Sequence, residues 1–217
     1  MVRSGHRFIA VVALIALLAV LPRGAAAQTG FCDPADVSTA TLAATGPGPY
    51  SLMVTPGGTG DAFTAARDQS GNPVDVTITY TLRDCAFVPV ADFPAEDMWL
   101  EADDGGLVVC VGGSIADADT DAGGTTSWTR PLRAGGSSTA GCRVMVNGAP
   151  GMWGTFPLWF NSPDLNSDGT VNLIDVPVFA TDFFGGVYRY RSDFHCDGVI
   201  NLVDLVRFAG GLGAACP

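Results

Sequence analysis

The chain has 217 residues, a formal net charge of −11 at neutral pH and no lysine. A surface of this sign repels nucleic acid and anionic lipid, which argues against a protein that binds either. It suits the binding of divalent cations, although acidity also serves plain solubility. The length allows one or two domains.

The first 27 residues are typical of a secretory signal peptide. Arg3 and Arg7 precede the apolar run FIAVVALIALLAVL, and a small-residue cleavage site follows at Ala27. The run is short for a bilayer span. We therefore predict that residues 1–27 are removed and that the mature chain is exported, secreted or at the cell surface, without a membrane span. A retained N-terminal anchor is the alternative.

All six cysteines lie beyond this cleavage site. An even number in an exported chain favours disulfides, and the absence of any CxxC pair argues against zinc. Because six cysteines allow fifteen pairings, spacing leaves the pairing open. Our hypothesis keeps the bridges local: Cys196–Cys216 near the C-terminus, Cys110–Cys142 before it, and Cys32–Cys85 as the remaining pair.

Residues 28–45 form a small, polar lead-in, and residues 46–161 have the periodicity of β-strands. In PVDVTITYTLRD every second residue is apolar, which predicts a strand with one buried face. The residues predicted to face the core are Val74, Val76, Ile78, Tyr80 and Leu82. Further candidate strands are YSLMV, DMWLE, LVVCV, TTSWT, CRVMVNG and TFPLWF, separated by turns such as DAGG and by the longer loop RAGGSSTAG. This pattern predicts an antiparallel sandwich.

The order of these segments is similar to that of a known family. GNPVDVTITYTLRDCAFVPVADFPAEDMWL followed by DTDAGGTTSWTRPLRAGG resembles the bacterial immunoglobulin-like domains of invasin type, over about 70 residues. The resemblance implies an immunoglobulin-like sandwich. Cys85, Ala86 and Phe87 stand where that family usually has a Gly turn.

An internal repeat begins after Asn161. The segment PDLNSDGTVNLID recurs 29 residues later, and five of seven aligned positions are identical. The aligned residues are Asp164, Asn166, Asp168, Gly169, Val171, Asn172 and Asp175, matched to Asp193, His195, Asp197, Gly198, Ile200, Asn201 and Asp204.

The spacing of oxygen atoms in each repeat is that of a calcium loop. Positions 1, 3, 5, 7, 9 and 12 supply the ligands in such loops, and a Gly at position 6 allows the bend. The first predicted site uses Asp164, Asn166, Asp168, the Thr170 carbonyl, Asn172 and Asp175. The second uses Asp193, His195, Asp197, the Val199 carbonyl, Asn201 and Asp204. We expect two calcium ions, the second bound more weakly because imidazole is a poorer calcium ligand than oxygen. Alternatively, His195 is only a surface residue.

An apolar stripe with helical spacing follows each loop and is assigned to the core. Its members are Leu173, Val176, Phe179 and Phe183 in the first repeat, and Leu202, Leu205, Phe208 and Leu212 in the second. Asn172 and Asn201 are predicted to cap the two helices.

DLNSDGTVNLID and DFHCDGVINLVD together resemble the dockerin module. The match covers residues 163–217. It implies a calcium-dependent fold of two loop–helix repeats that docks onto a cohesin domain of a scaffold or cell-surface protein, as in cellulosomes that degrade polysaccharide. By position, Leu173, Ile174, Leu202 and Val203 match the family's partner contacts. Many dockerins have Ser-Thr pairs there, where this chain has apolar pairs.

Catalysis has little support in the sequence. Beyond the predicted leader the chain has one histidine, His195, already assigned to a loop, and only two glutamates, Glu96 and Glu101. We therefore expect no enzyme activity. Sugar binding is the stronger rival function, through a stacking platform of tryptophan. Trp99 and Trp128 lie in strand patterns and are assigned to the core, whereas Trp153 is the best exposed candidate.

Together these patterns predict two modules. An all-β immunoglobulin-like sandwich spans 46–161, and a small all-α dockerin-like module of two EF-hand-like loop–helix repeats spans 163–217. The expected role is calcium-dependent attachment to a cohesin-like protein or cell-surface scaffold. The alternatives are a polysaccharide-binding sandwich tethered through that module, and a module that acts only as a structural cap.

Overall fold

Short strands follow one another from Thr39 to Asn161 in the computed structural model, which describes residues 37–150 and 154–217. The predicted signal peptide, Cys32 and Trp153 lie outside the described residues. The strands are β1 (Thr39–Leu42), β2 (Tyr50–Met53), β3 (Ala66–Arg67), β4 (Pro73–Val74), β5 (Ile78–Thr81), β6 (Met98–Ala102), β7 (Leu107–Val109), β8 (Thr125–Trp128), β9 (Ala134–Gly136), β10 (Cys142–Val146), β11 (Ala149–Pro150) and β12 (Leu158–Asn161).

These strands form four small sheets. Their strand orders are β1-β5-β8, β11-β10-β6, β12-β2-β3-β4 and β7-β9. Most of the pairs are antiparallel, but β12 runs parallel to β2, which departs from the antiparallel sandwich predicted from the sequence. β1 and β9 were also unexpected, because they lie in the predicted lead-in and in the predicted long loop.

The alternation in PVDVTITYTLRD is confirmed at the core. Val76, Ile78, Tyr80 and Leu82 are all buried, together with side chains from the other sheets. The predicted strand is nevertheless interrupted between β4 and β5, because the Asp75 carboxylate accepts a hydrogen bond from the Thr77 amide and turns the backbone there.

Two ten-residue helices follow the strands, α1 (Asp175–Phe184) and α2 (Leu202–Gly211). Asn201 caps α2 as predicted: its side chain accepts from the Val203 amide, and Asp204 accepts from the Asn201 amide. α1 begins later in its repeat, after Ile174, so the cap predicted at Asn172 is not formed. Pro177 lacks an N–H, and it lies in the first turn, where no intrahelical donor is needed. None of the helices in the described part of the chain has the length and apolarity that crossing a membrane requires.

The predicted fold class is wrong for the C-terminal part. The described residues are mostly β, and they do not contain a separate all-α module of two EF-hand-like repeats. The segment that would form the first repeat follows strand β12, not a helix. The C-terminal segment also shares its packing with the sheets: Met53 of β2 lies in one cluster with Phe179, Phe194 and Phe208. A ten-residue helix has too little apolar surface to build a core alone.

The two local disulfides of our hypothesis are not formed. Cys110 bonds Cys216, across 106 residues and with 5.5 Å between their Cα atoms, while Cys142 and Cys196 are buried thiols. The reason is the path of the C-terminal tail, which folds back so that the Cys216 amide donates to the Gly169 carbonyl, away from Cys196. Cys85 is disulfide-bonded, and its predicted pairing with Cys32 stays a prediction.

Candidate functional site

Two loops with matching hydrogen bonds lie at the centre of the C-terminal segment; we call residues 164–175 loop 1 and residues 193–204 loop 2. The first Asp of each loop is buried. The Asp164 carboxylate accepts from the amides of Asp168 and Gly169, at 3.1 and 2.9 Å. Asp193 accepts from the amides of Asp197 and Gly198, at 3.3 and 2.9 Å. The sequence repeat is therefore a repeat of local structure.

The last Asp of each loop closes it in the same way. Asp175 accepts hydrogen bonds from the amides of Leu165, Asn166 and Asn172. Asp204 accepts from the amides of His195 and Asn201. A carboxylate that accepts several amide donors holds both ends of its loop together.

A glycine at the sixth position is required by the backbone of each loop. Gly169 and Gly198 have φ of 84° and 81°, in the left-handed region that side chains with a Cβ disfavour.

Burial and hydrogen bonding shift the pKa values of two of these carboxyls in opposite directions. Burial raises the pKa of Asp164, and the hydrogen bonds from Gly169 and Asp168 oppose it. Burial likewise raises the pKa of Asp204, against hydrogen bonds from Asn201 and His195. Burial has the larger effect in both, so the loops hold carboxyls whose ionised form is disfavoured.

The predicted pair of calcium ions is contradicted. Within residues 37–150 and 154–217, no group of three or more His, Cys, Asp or Glu side chains is placed to hold a metal. Calcium requires six to eight oxygens, whereas the loop carboxylates accept hydrogen bonds, mostly from groups of their own loop; Asp193 also accepts one from the Tyr188 hydroxyl at 2.9 Å. In loop 1, the Asn166 amide group donates to Asp168 at 2.8 Å. The predicted ligands other than the His195 side chain thus lie together in their loops, where they take part in hydrogen-bond networks.

His195 packs against the β-sheets instead of serving as a loop ligand. Its ring lies over Gly71, where an added Cβ would come within 2.9 Å of the imidazole. The ring is half-buried, and its Nδ1 has no hydrogen-bond partner. Position 3 of loop 2 therefore contacts the turn between β3 and β4.

Several contacts fix the C-terminal segment to the sheets. The Asn161 amide group donates to the Asp193 carbonyl at 2.6 Å, and the hydroxyls of Ser51 and Tyr190 are 2.7 Å apart. Arg207 of α2 forms an ion pair with Asp61 at 2.5 Å. With the disulfide, these contacts hold both loops in a fixed orientation on the sheets.

The backbone of β9 closes over loop 1. A Cβ added at Gly135 would lie 2.0 Å from Asp164 Oδ2, so only glycine allows this approach. Val171, at position 8 of loop 1, is buried, and its backbone bonds to Gly213 and Ala214. Loop 1 is therefore enclosed by β9 on one side and by the C-terminal tail on another.

The apolar stripes of the two helices are only partly in the core, which corrects the sequence prediction. Phe179 and Phe208 are buried and stack with ring centroids 4.9 Å apart. The other predicted core residues are exposed, apart from Phe183, which is partly buried: Leu173, Val176, Leu202, Leu205 and Leu212.

The exposed apolar positions are duplicated by the repeat. We call them the duplicated apolar face, and its members are Leu173, Ile174, Val176 and Pro177, matched to Leu202, Val203, Leu205 and Val206. In each repeat these residues are spaced by three and four positions; Leu173 and Ile174 directly precede α1, whereas their counterparts lie in the first turn of α2. Leu173 is 80% exposed and Leu202 is 69% exposed. The sequence analysis assigned Leu173, Ile174, Leu202 and Val203 to contact positions. It did not assign the other four members of the face, although they recur with the same offset of 29 residues.

Twelve of the sixteen large exposed apolar side chains among the described residues lie between Leu173 and Leu212. Single, scattered exposed apolar residues are normal on protein surfaces, whereas such a concentration is typical of a surface that another protein covers.

The sugar platform proposed from the tryptophans is not assembled as expected. Trp128 is buried, in agreement with the core prediction, and Trp159 packs edge-on against Tyr190 with ring centroids 5.2 Å apart. Trp99 is half-buried and faces outward on β6, so its assignment to the core was wrong.

Comparison of the chain with protein-family models, with curated proteins and with solved structures found no match.

Proposed function

We propose that the protein is an exported, non-catalytic attachment protein whose duplicated apolar face docks onto a cohesin-type domain of an extracellular scaffold or cell surface. The observation that carries this proposal is the exposure of the same apolar positions in both repeats. Burial of an exposed apolar side chain such as Leu173 against a partner lowers the free energy by about 25 cal/mol per Å² of apolar area removed from water.

The sequence resemblance to dockerins supports the choice of partner. In that family the positions of Leu173, Ile174, Leu202 and Val203 contact the cohesin, and in this chain they are among the exposed residues. Apolar pairs at these positions favour a partner with an apolar contact surface, since a polar surface would leave its groups unpaired. Hydrophobic contact of this kind dominates the centre of stable interfaces.

A pre-organised surface is the second support. The ion pair of Arg207 with Asp61 and the disulfide of Cys216 fix the segment before any partner arrives. Binding then does not have to order the helices, which reduces the entropic cost of association.

The test measures binding of the full mature chain to immobilised cohesin-type domains by surface plasmon resonance. The double variant Leu173→Asp/Leu202→Asp should bind at least about 30-fold more weakly, which is the loss of one interface hot spot. Both side chains are largely exposed, so folding should be retained, and circular dichroism checks this.

Val88→Asp is the matched control, because Val88 is 54% exposed and lies outside the duplicated apolar face. It should bind like the wild type. Unchanged binding of the double variant would show that the face is not the contact surface. No binding of the wild type to any cohesin-type domain would show that the partner class is wrong.

A second candidate function is that the segment serves only as a cap over the sheets. The enclosure of Asp164 by Gly135 favours it. A cap alone, however, does not require exposed apolar side chains on the outer helix surface, and it predicts that Leu173→Asp/Leu202→Asp has no binding phenotype.

A further inference from the structure

A groove of about 550 Å³ lies on the outer face of β6, away from the residues of the duplicated apolar face. Its walls are mostly aliphatic and include Val109, Val111 and Ile115. The size is within the range of small-ligand sites in proteins. Nothing in the preceding argument assigns a role to this groove.

The only two glutamates of the chain both line this groove, with Trp99 between them. Trp99 and Glu101 share the outward face of β6, because side chains alternate along a strand and their neighbours Met98, Leu100 and Ala102 are buried. Glu96 comes from the short 3-10 turn that precedes β6. A strand and its lead-in thus bring two carboxylates and an indole to one groove.

The polar groups of the groove are free to bind a ligand. Neither the Glu96 nor the Glu101 carboxylate makes a hydrogen bond or ion pair with the described residues, and Trp99 Nε1 donates to none of them. Arg143 lies directly opposite Glu101 on β10, yet it bonds Asp103 at 2.5 Å instead. The cation best placed to neutralise Glu101 is therefore engaged elsewhere.

We propose that this groove binds a neutral polysaccharide chain. A sugar ring has an apolar face that stacks on an indole and hydroxyls at its edge that donate to carboxylates. Two free carboxylates repel anionic sugars, which restricts the ligand to neutral ones. A cationic ligand is less favoured, because cages for such groups use several aromatic rings, and among the residues that the structure describes Trp99 is the only aromatic one lining this groove.

The groove is also rigid at one end. Cys110 lines it and is bonded to Cys216, and Trp99 forms a β-bridge with Ile115. A fixed groove loses little entropy on binding. The ligand contacts of this proposal include none of the residues of the duplicated apolar face, so either proposal can fail alone.

The test is affinity electrophoresis of the full mature chain in native gels that contain a soluble neutral polysaccharide, either β-glucan, xylan or galactomannan, with polygalacturonate as the anionic comparison. At least one neutral polymer should retard the wild type, and polygalacturonate should not. Trp99→Ala should weaken that binding by at least about tenfold, and Glu101→Gln by about threefold.

Phe87→Ala is the control, since Phe87 is an exposed aromatic residue outside the groove and its removal should leave retardation unchanged. If Trp99→Ala unfolds, the exposed Glu101→Gln and the change in tryptophan fluorescence on adding polysaccharide still test the proposal. It is overturned if no neutral polymer retards the wild type, if Trp99→Ala and Glu101→Gln both bind like the wild type, or if choline binds at the groove and the neutral polymers do not.

Discussion

The disulfide between Cys110 and Cys216 should contribute more to stability than any other single interaction described above, and Cys216→Ser removes it cleanly. Cys216 is exposed, so its replacement by serine buries no hydroxyl, whereas Cys110 is buried. The backbone bonds of Val171 to Gly213 and Ala214 remain in the variant. The folded state should therefore change little.

The magnitude follows from the loop that the bond closes. A cross-link between residues 106 apart restricts the unfolded chain by about 5 kcal/mol at 25 °C, and measured losses on removing native disulfides are about 2–5 kcal/mol. We expect Cys216→Ser to lower the free energy of unfolding by about 3–5 kcal/mol, mainly because the unfolded chain becomes freer.

Guanidinium unfolding followed by circular dichroism measures this loss by linear extrapolation. The double variant Cys110→Ala/Cys216→Ser controls for a stray thiol and should lose a similar amount. A reducing agent is unsuitable, because Cys85 is also disulfide-bonded. A loss below about 1 kcal/mol in the single variant would refute the argument from loop closure.

Two further predictions concern the packing of loop 1 and an ion pair of α1. Gly135→Ala places a Cβ against the Asp164 carboxylate and should lower the free energy of unfolding, measured in urea, by about 2–3 kcal/mol. The control Gly210→Ala, in open space on α2, should raise it by about 0.5–1 kcal/mol. Equal effects of the two variants would contradict the packing argument. Burial opposes ionisation of Asp182, but hydrogen bonds from Arg191 and a neighbouring hydroxyl outweigh it and lower its pKa below 3.8. The stability from this lowered pKa is present above about pH 4 and is lost as the pH falls through the folded-state pKa, so Asp182→Asn should flatten the acid limb of the stability curve; parallel limbs would exclude this contribution.

The parts of the structure that the sequence predicted are those set by local spacing. The alternation around Ile78 fixed which side chains face the core, because a strand has a period of two. The repeated Asp, Gly and Asn positions of the loops likewise predicted the cap of α2 at Asn201.

Other predictions failed where two local patterns compete. In DMWLE both Met98 and Trp99 are apolar, so alternation alone does not say which faces inward, and the structure buries Met98. The helices after each loop have apolar residues on two faces, and only the face of Phe179 or Phe208 is buried. Helical spacing identified a stripe in each helix but could not separate core from exposed surface.

The disulfide pairing and the groove depend on long-range contacts, which spacing does not encode. Cys216 meets Cys110 only because the tail bonds Gly169. Glu96, Trp99 and Glu101 are close in sequence, but the groove beside them is completed by residues 107–115. The rarity of glutamate in the chain was the signal that could have drawn attention to them.

The path of the Cys110–Cys216 bond has a mechanical consequence. If the duplicated apolar face were held by one body while β7, which ends next to Cys110, were pulled by another, tension would cross a covalent bond instead of the hydrogen bonds that join β7 to β9. The disulfide carries the tension past the residues that lie between its two cysteines in the sequence. It thereby prevents release of the chain between Cys110 and Leu173, about 210 Å of contour length at about 3.3 Å per residue. Reduction would turn a short, stiff connection into an extensible one.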